Sequence, residues 1–140
     1  MISRGRAEGF LAIGGIFMAW PSLLPYYVQC RKILCERAKQ NRKITYGELA
    51  EALGLPSPKQ DWKTVLDRIS EDEVKRTGRD LTLVVVYSQG PAKGLSRYFS
   101  NVRGGQKPRT TMLDPHNQSQ RQQYERELQN VFARYATVSC

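Results

Sequence analysis

The sequence predicts an α+β fold: three helices and a small β flap, followed by a fourth, amphipathic helix. Three observations carry this. Thr45-Tyr46-Gly47-Glu48, with Gly54 beyond it, reads as a short helix that specifies both of its own ends. Residues 81–87 are a run of β-branched and aromatic residues, the clearest strand in the chain. Tyr124, Leu128, Val131, Phe132 and Tyr135 recur at helical spacing and draw one apolar stripe.

A chain of 140 residues has room for one domain with a core, or for a small domain with appendages. The balance of 40% hydrophobic and 25% charged residues is that of a soluble globular protein. A net charge of +9 favours a polyanionic partner, nucleic acid or an anionic membrane surface. The charge is unevenly placed. Residues 1–43 carry eight Lys/Arg against Glu8 and Glu36, and residues 88–122 carry six against Asp114, whereas residues 55–80 have six of each sign. The basic surface therefore lies around the first long helix and in the loop-rich region after residue 87.

Residues 1–20 read as an N-terminal extension. Their uncharged run from Gly9 is interrupted by Gly14-Gly15 and followed by Pro21 and Pro25, which argues against a straight membrane span, and no clean small-x-small cleavage site follows to mark a leader. An extension that packs on the core or lacks order is expected. Met18 is a candidate start, because codons for Gly14-Gly15-Ile16-Phe17 can spell a purine-rich ribosome-binding sequence before it.

Residues 21–102 are expected to form the main domain. A first helix runs from Ser22 or Pro25 to Gln40, with Tyr27, Cys30, Leu34 and Ala38 on one face. Lys43-Ile44 is a short extended link. Thr45 caps the next helix in a capping box with Glu48, Ile44 and Leu49 close a hydrophobic staple, and Gly54 supplies the left-handed stop. Leu55-Pro56-Ser57-Pro58 is a rigid turn. Asp61 caps a third helix that begins at Trp62 and carries Val65, Leu66 and Ile69. Ser70 with Glu73 is a second capping-box pattern, so this helix ends or restarts near residue 70, and Gly78 closes the segment. After the strand, residues 88–94 form a flexible loop, and residues 95–99 return as a strand or a short helix. Residues 103–118 read as a basic loop. Residues 119–136 read as a C-terminal helix, capped by Ser119 with Gln122, that packs on the domain. A homodimer seam is the alternative use of its stripe.

Most catalytic chemistry is missing. Cys30 and Cys35 are five apart, a poor spacing for shared ligation, and His116, the single histidine, is remote from them. No metal or cofactor is expected, and reduced thiols in a cytoplasmic protein are. His116 lies in a Pro-Asn-Gln turn, unsuited to serve as a general base. Gly90 and Gly94 make no phosphate loop, because no Gly-Lys-Ser/Thr follows.

Three helices, a strand, a glycine-containing loop and a return segment describe a winged helix-turn-helix with an extra C-terminal amphipathic helix. Residues 44–53, Ile-Thr-Tyr-Gly-Glu-Leu-Ala-Glu-Ala-Leu, resemble the start of the helix-turn-helix half of the alkylguanine-DNA alkyltransferase and alkyltransferase-like families. The resemblance extends loosely over residues 27–94. It implies that the helix starting at Trp62 enters a DNA minor groove. Asp80-Leu81-Thr82-Leu83 stands where those families carry Pro-Cys-His-Arg, and Lys63 is the nearest group to their base-displacing arginine, so alkyl transfer is not expected. The order of motifs is also similar to a group of uncharacterised bacterial proteins, which implies one domain and no particular activity.

The expected function is non-catalytic binding of double-stranded DNA. Its expected contacts are Ser57, Lys59, Gln60, Lys63 and Thr64 at the start of the third helix, Arg42, Lys43, Thr45 and Tyr46 around the capped helix, and Lys93, Arg97 and Arg103 in the wing. A protein-interaction module is the alternative, with an unrecognised enzyme behind it.

Overall fold

The computed structural model describes residues 10–13, 16–19, 21–99 and 111–140. Arg103 and the first half of the expected basic loop, residues 103–110, lie outside the described residues. Within the N-terminal extension, β1 (Phe10–Ile13) and β2 (Ile16–Ala19) pair antiparallel.

A 3-10 turn at Leu24–Tyr26, with Pro25 in its first positions, leads into α1 (Tyr27–Lys39). The helix buries Cys30, Leu34, Cys35 and Ala38. Asn41 ends it in the left-handed region, at φ 56°. The Arg42 N–H reaches back to the Arg37 carbonyl and the Asn41 N–H to that of Ala38, so two otherwise orphaned carbonyls are satisfied.

β3 (Ile44–Thr45) then runs into α2 (Tyr46–Ala52). The capping box forms as expected: Thr45 Oγ1 accepts from the Glu48 N–H, and Glu48 Oε1 accepts from the Thr45 N–H. That bond from Thr45 holds the Glu48 carboxyl below its ordinary range. Ile44 and Leu49, the two ends of the staple, are both buried in the main core. At the other end Gly54 sits at φ 75°, and the Leu55 N–H bonds the Ala50 carbonyl. A side chain at Gly54 would meet steric resistance from its own backbone, which is why glycine ends the helix.

α3 (Trp62–Thr77) is continuous, ending at Gly78. The expected break at Ser70 does not occur. Ser70 and Glu73 lie on the buried face of the helix, and the Glu73 carboxylate bonds other helices in place of the Ser70 backbone. Asp61 holds the N-cap position, but its carboxylate makes no cap bond to the helix and accepts from the Thr64 hydroxyl.

The expected strand at residues 81–87 is largely replaced. Leu81–Val84 is a 3-10 turn, and only β4 (Val85–Val86) is extended, paired parallel to β3. The reason is local and tertiary at once. Asp80 Oδ1 accepts from both the N–H and the hydroxyl of Thr82, which holds the first turn closed. Residues 81–84 are buried among α1, α3 and the C-terminal helix, where no neighbouring strand could pair with them. The return segment is a strand, β5 (Tyr98–Phe99), but it pairs antiparallel with β6 (Thr111–Met112) and not with β4. That pairing places a short strand inside the expected loop.

α4 (Gln118–Tyr135) is capped by the Asn117 side chain, two residues before the expected Ser119. All five residues of its stripe are buried, so the stripe packs into the core. Tyr124 donates to the Leu83 carbonyl at 2.7 Å, tying α4 to the central 3-10 turn. Among the described residues the chain is thus an α+β fold with four helices, three of them packed on that turn, and a small parallel strand pair. Each fully buried Leu or Ile in this core contributes roughly 1.5–3 kcal/mol.

Among the described residues two acidic ones lie inside: Asp80, bonded to Thr82, and Glu73. Glu73 is 0% exposed. Arg31 Nε donates to it at 3.0 Å, Arg76 lies 3.2 Å away, and the Tyr135 hydroxyl donates to its Oε1. Burial, and then this carboxylate, push the Tyr135 hydroxyl far above its usual range. Nearby, Tyr27 donates to Asp72 at 2.6 Å and is pushed up to about 12 by burial and by that bond. A buried carboxylate is tolerable only with such partners.

The cysteines depart from expectation. Cys35 and Cys140 form a disulfide, with Cα atoms 5.8 Å apart, and Cys30 is a buried free thiol. The fold returns residue 140 to α1, a proximity that sequence spacing does not announce. No helix among the described residues is long and apolar enough to cross a membrane.

Candidate nucleic-acid interface

The turn before α3 is bonded to itself. Ser57 Oγ accepts from the Lys59 N–H, the Gln60 side chain donates to the Ser57 carbonyl, and the Trp62 indole donates to the Pro58 carbonyl at 2.7 Å. Buried Trp62 anchors the first turn of α3, so the residues around it are held in place. Lys59 and Lys63 are exposed beside it. The end of α4 meets α3 at Glu73 and Thr77, at its far end, and leaves this start uncovered.

The loop after β4 closes on itself. The Gly94 N–H bonds the Tyr87 carbonyl, and the Tyr87 N–H bonds that of Leu95. Gly94 sits at φ 78°, a conformation that suits glycine. Its carbonyl accepts from Lys43 Nζ at 2.8 Å, and the same ammonium lies 5.9 Å from the centre of the Tyr124 ring. Lys43 is therefore a strut between the flap, β3 and α4, half-buried and committed to the fold.

Between the flap and the start of α3 lies a pocket of about 370 Å3. Tyr46 from α2, Gln60, Trp62 and Lys63 from the turn and α3, and Tyr87 and Arg97 from the flap line it. Tyr46 is the hub of an aromatic cluster, its ring centre 5.8 Å from that of Trp62 and 5.7 Å from that of Tyr87, both pairs tilted. Such pairs add about 0.5–1.5 kcal/mol each beyond their burial. The arrangement offers an aromatic wall of mutually tilted rings, lined also by the cationic Lys63 and Arg97 and by the acidic Asp61.

The fold unites some of the expected residues and separates others. Tyr46, Gln60, Lys63 and Arg97, from distant parts of the sequence, meet at the pocket. Lys63 also pairs with Asp67 at 2.5 Å. Ser57 and Thr64 are spent on the turn and on Asp61, and Thr45 on its cap. Lys93 is exposed on the flap loop, and exposed Arg42 donates to Gln40. Sequence reasoning missed Trp62 and Tyr87 as pocket residues. The signal was present, since each aromatic stands within a few residues of expected basic contacts. His116 is exposed in its turn, its N–H bonded to Asp114. Among the described residues no group of three or more His, Cys, Asp or Glu side chains could hold a metal ion. Comparison of the chain with family models, with curated proteins and with solved structures finds no match.

Proposed function

We propose that this chain is a winged-helix module that binds duplex DNA without catalysing a reaction. One observation carries the reading: four residues expected to touch nucleic acid, drawn from α2, the turn before α3, α3 and the flap, converge on a single aromatic pocket. The element order α1, β3, α2, turn, α3, β4 agrees with the winged-helix type. In this reading the exposed start of α3 faces the duplex, Lys59, Lys63, Lys93 and Arg97 meet phosphates, and Gln60 reaches a base edge. Tyr46 and Tyr87 give the sugar–base surface an apolar wall.

An electrophoretic shift assay on duplex DNA across a salt series tests this. About six neutralised phosphates cost roughly three orders of magnitude in affinity between about 50 and 200 mM salt. Duplex binding absent at low salt rejects the reading. Asp61 and Asp67, close to Lys63, favour the alternative of a protein partner. In that case a partner co-purifies, and it stays bound when Lys93 and Arg97 are reversed in charge.

A further inference from the structure

We propose that Cys35 and Cys140 form a thiol–disulfide latch that fixes the segment after α4 to α1 and releases it on reduction. Arg31, Cys35 and Lys39 are spaced four residues apart and share one side of α1. All three hold the end of α4 or the residues beyond it. Arg31 grips Glu73, which receives the Tyr135 hydroxyl; Cys35 is bonded to Cys140; and Lys39 Nζ donates to the Val138 carbonyl at 2.5 Å. Of these three grips only the covalent one can be made and broken by a change of redox conditions.

The two cysteines differ in exposure as residues. Cys140 belongs to an exposed residue, whereas Cys35 is 0% exposed. A low-molecular-weight disulfide can therefore meet Cys140 and not Cys35. The Cys140 thiolate attacks one sulfur of that disulfide, breaking its S–S bond and expelling one small thiolate. The Cys35 thiolate then attacks the Cys140 sulfur of the mixed disulfide and expels the second. One external disulfide is reduced to two thiols, two protein thiols are oxidised to one disulfide, and the two protons pass to the leaving thiolates. A small dithiol runs the sequence backwards. Cys30 stays outside this exchange: burial raises its thiol to about 12, so little thiolate forms.

The test equilibrates the full chain in oxidised and reduced glutathione at a series of ratios, then quenches by alkylation and maps the cysteines by mass spectrometry. The expected result is a Cys35–Cys140 crosslink that appears and disappears reversibly, with Cys30 alkylated only after unfolding. Reduction should raise hydrogen exchange over residues 136–140 and let trypsin cut after Arg134. It should also lower the melting midpoint by about 10 °C, as expected for opening a loop closed over 105 residues. Cys140→Ser, a surface change, should match the reduced protein and lose all response to glutathione. Three free thiols at the oxidising end would overturn the proposal. So would a crosslink whose reduction leaves exchange over residues 136–140 unchanged.

Discussion

The two ends of α3 solve opposite problems with similar residues. At its start, cations stand at the surface around a pocket walled by half-buried and buried aromatic rings, and polar groups of the turn bond within the turn. At its far half, Glu73 is sealed from water and held by Arg31, Arg76 and Tyr135 from three helices. Charge at the start stands where something outside the molecule can meet it. Charge at the end is consumed in holding the molecule together. A substitution at one end should therefore change binding, and one at the other should change stability.

The largest effect is expected at the sealed end. Glu73→Ala strips the partner from a largely buried Arg31 and should cost about 3–5 kcal/mol in chemical unfolding. Duplex affinity per folded molecule should be unchanged; a specific loss of binding would break the division. Next comes the flap. Gly94→Ala places a side chain at φ 78°, where an L-residue is strained by about 1–2 kcal/mol, although the new Cβ comes no closer than 4.0 Å to Lys43 Nζ. Unfolding should show that cost, and the shift assay should show weaker binding, because the flap carries Arg97. Thr45→Ala removes one half of the capping box and should cost about 1 kcal/mol. The smallest change in stability, within about 0.5 kcal/mol, is expected for Lys63→Ala or Arg97→Ala. Each should nevertheless lower the salt slope of duplex binding by about 0.9 if it removes a phosphate contact.

Alkaline pH sharpens the same contrast. Tyr27 titrates at about 12 in the fold against an ordinary 10. Its raised value stabilises the fold below pH 10, and that contribution fades as pH climbs from 10 to 12. Tyr27→Phe should flatten the decline in stability across this window, as followed by denaturant titration.

What could be read from the sequence was what short-range chemistry decides. Thr45-x-x-Glu48 and Ser70-x-x-Glu73 are the same pattern, yet only the first is a cap. Thr45 follows an extended link and opens a helix, whereas Ser70 continues the stripe of Val65, Leu66 and Ile69 and lies on its buried face. The stripe of α4 was readable because helical spacing alone defines it. Residues 81–84 were not, since three helices surround a β-branched run and leave it no strand partner. Of the pocket, the cations and Tyr46 were readable. Trp62 and Tyr87 were not, because their meeting depends on how the flap returns to α2.

The Tyr135 bond to Glu73 bears on how the protein can be dissected. Cutting the chain after the flap would delete the phenol that shares this interior carboxylate, and with it Tyr124 beneath the central turn. A fragment ending near residue 102 is therefore expected to misfold, although it keeps α1, α2 and α3 entire. The C-terminal helix is no detachable appendage: residues 21–99 are expected to hold their fold only as part of the longer chain.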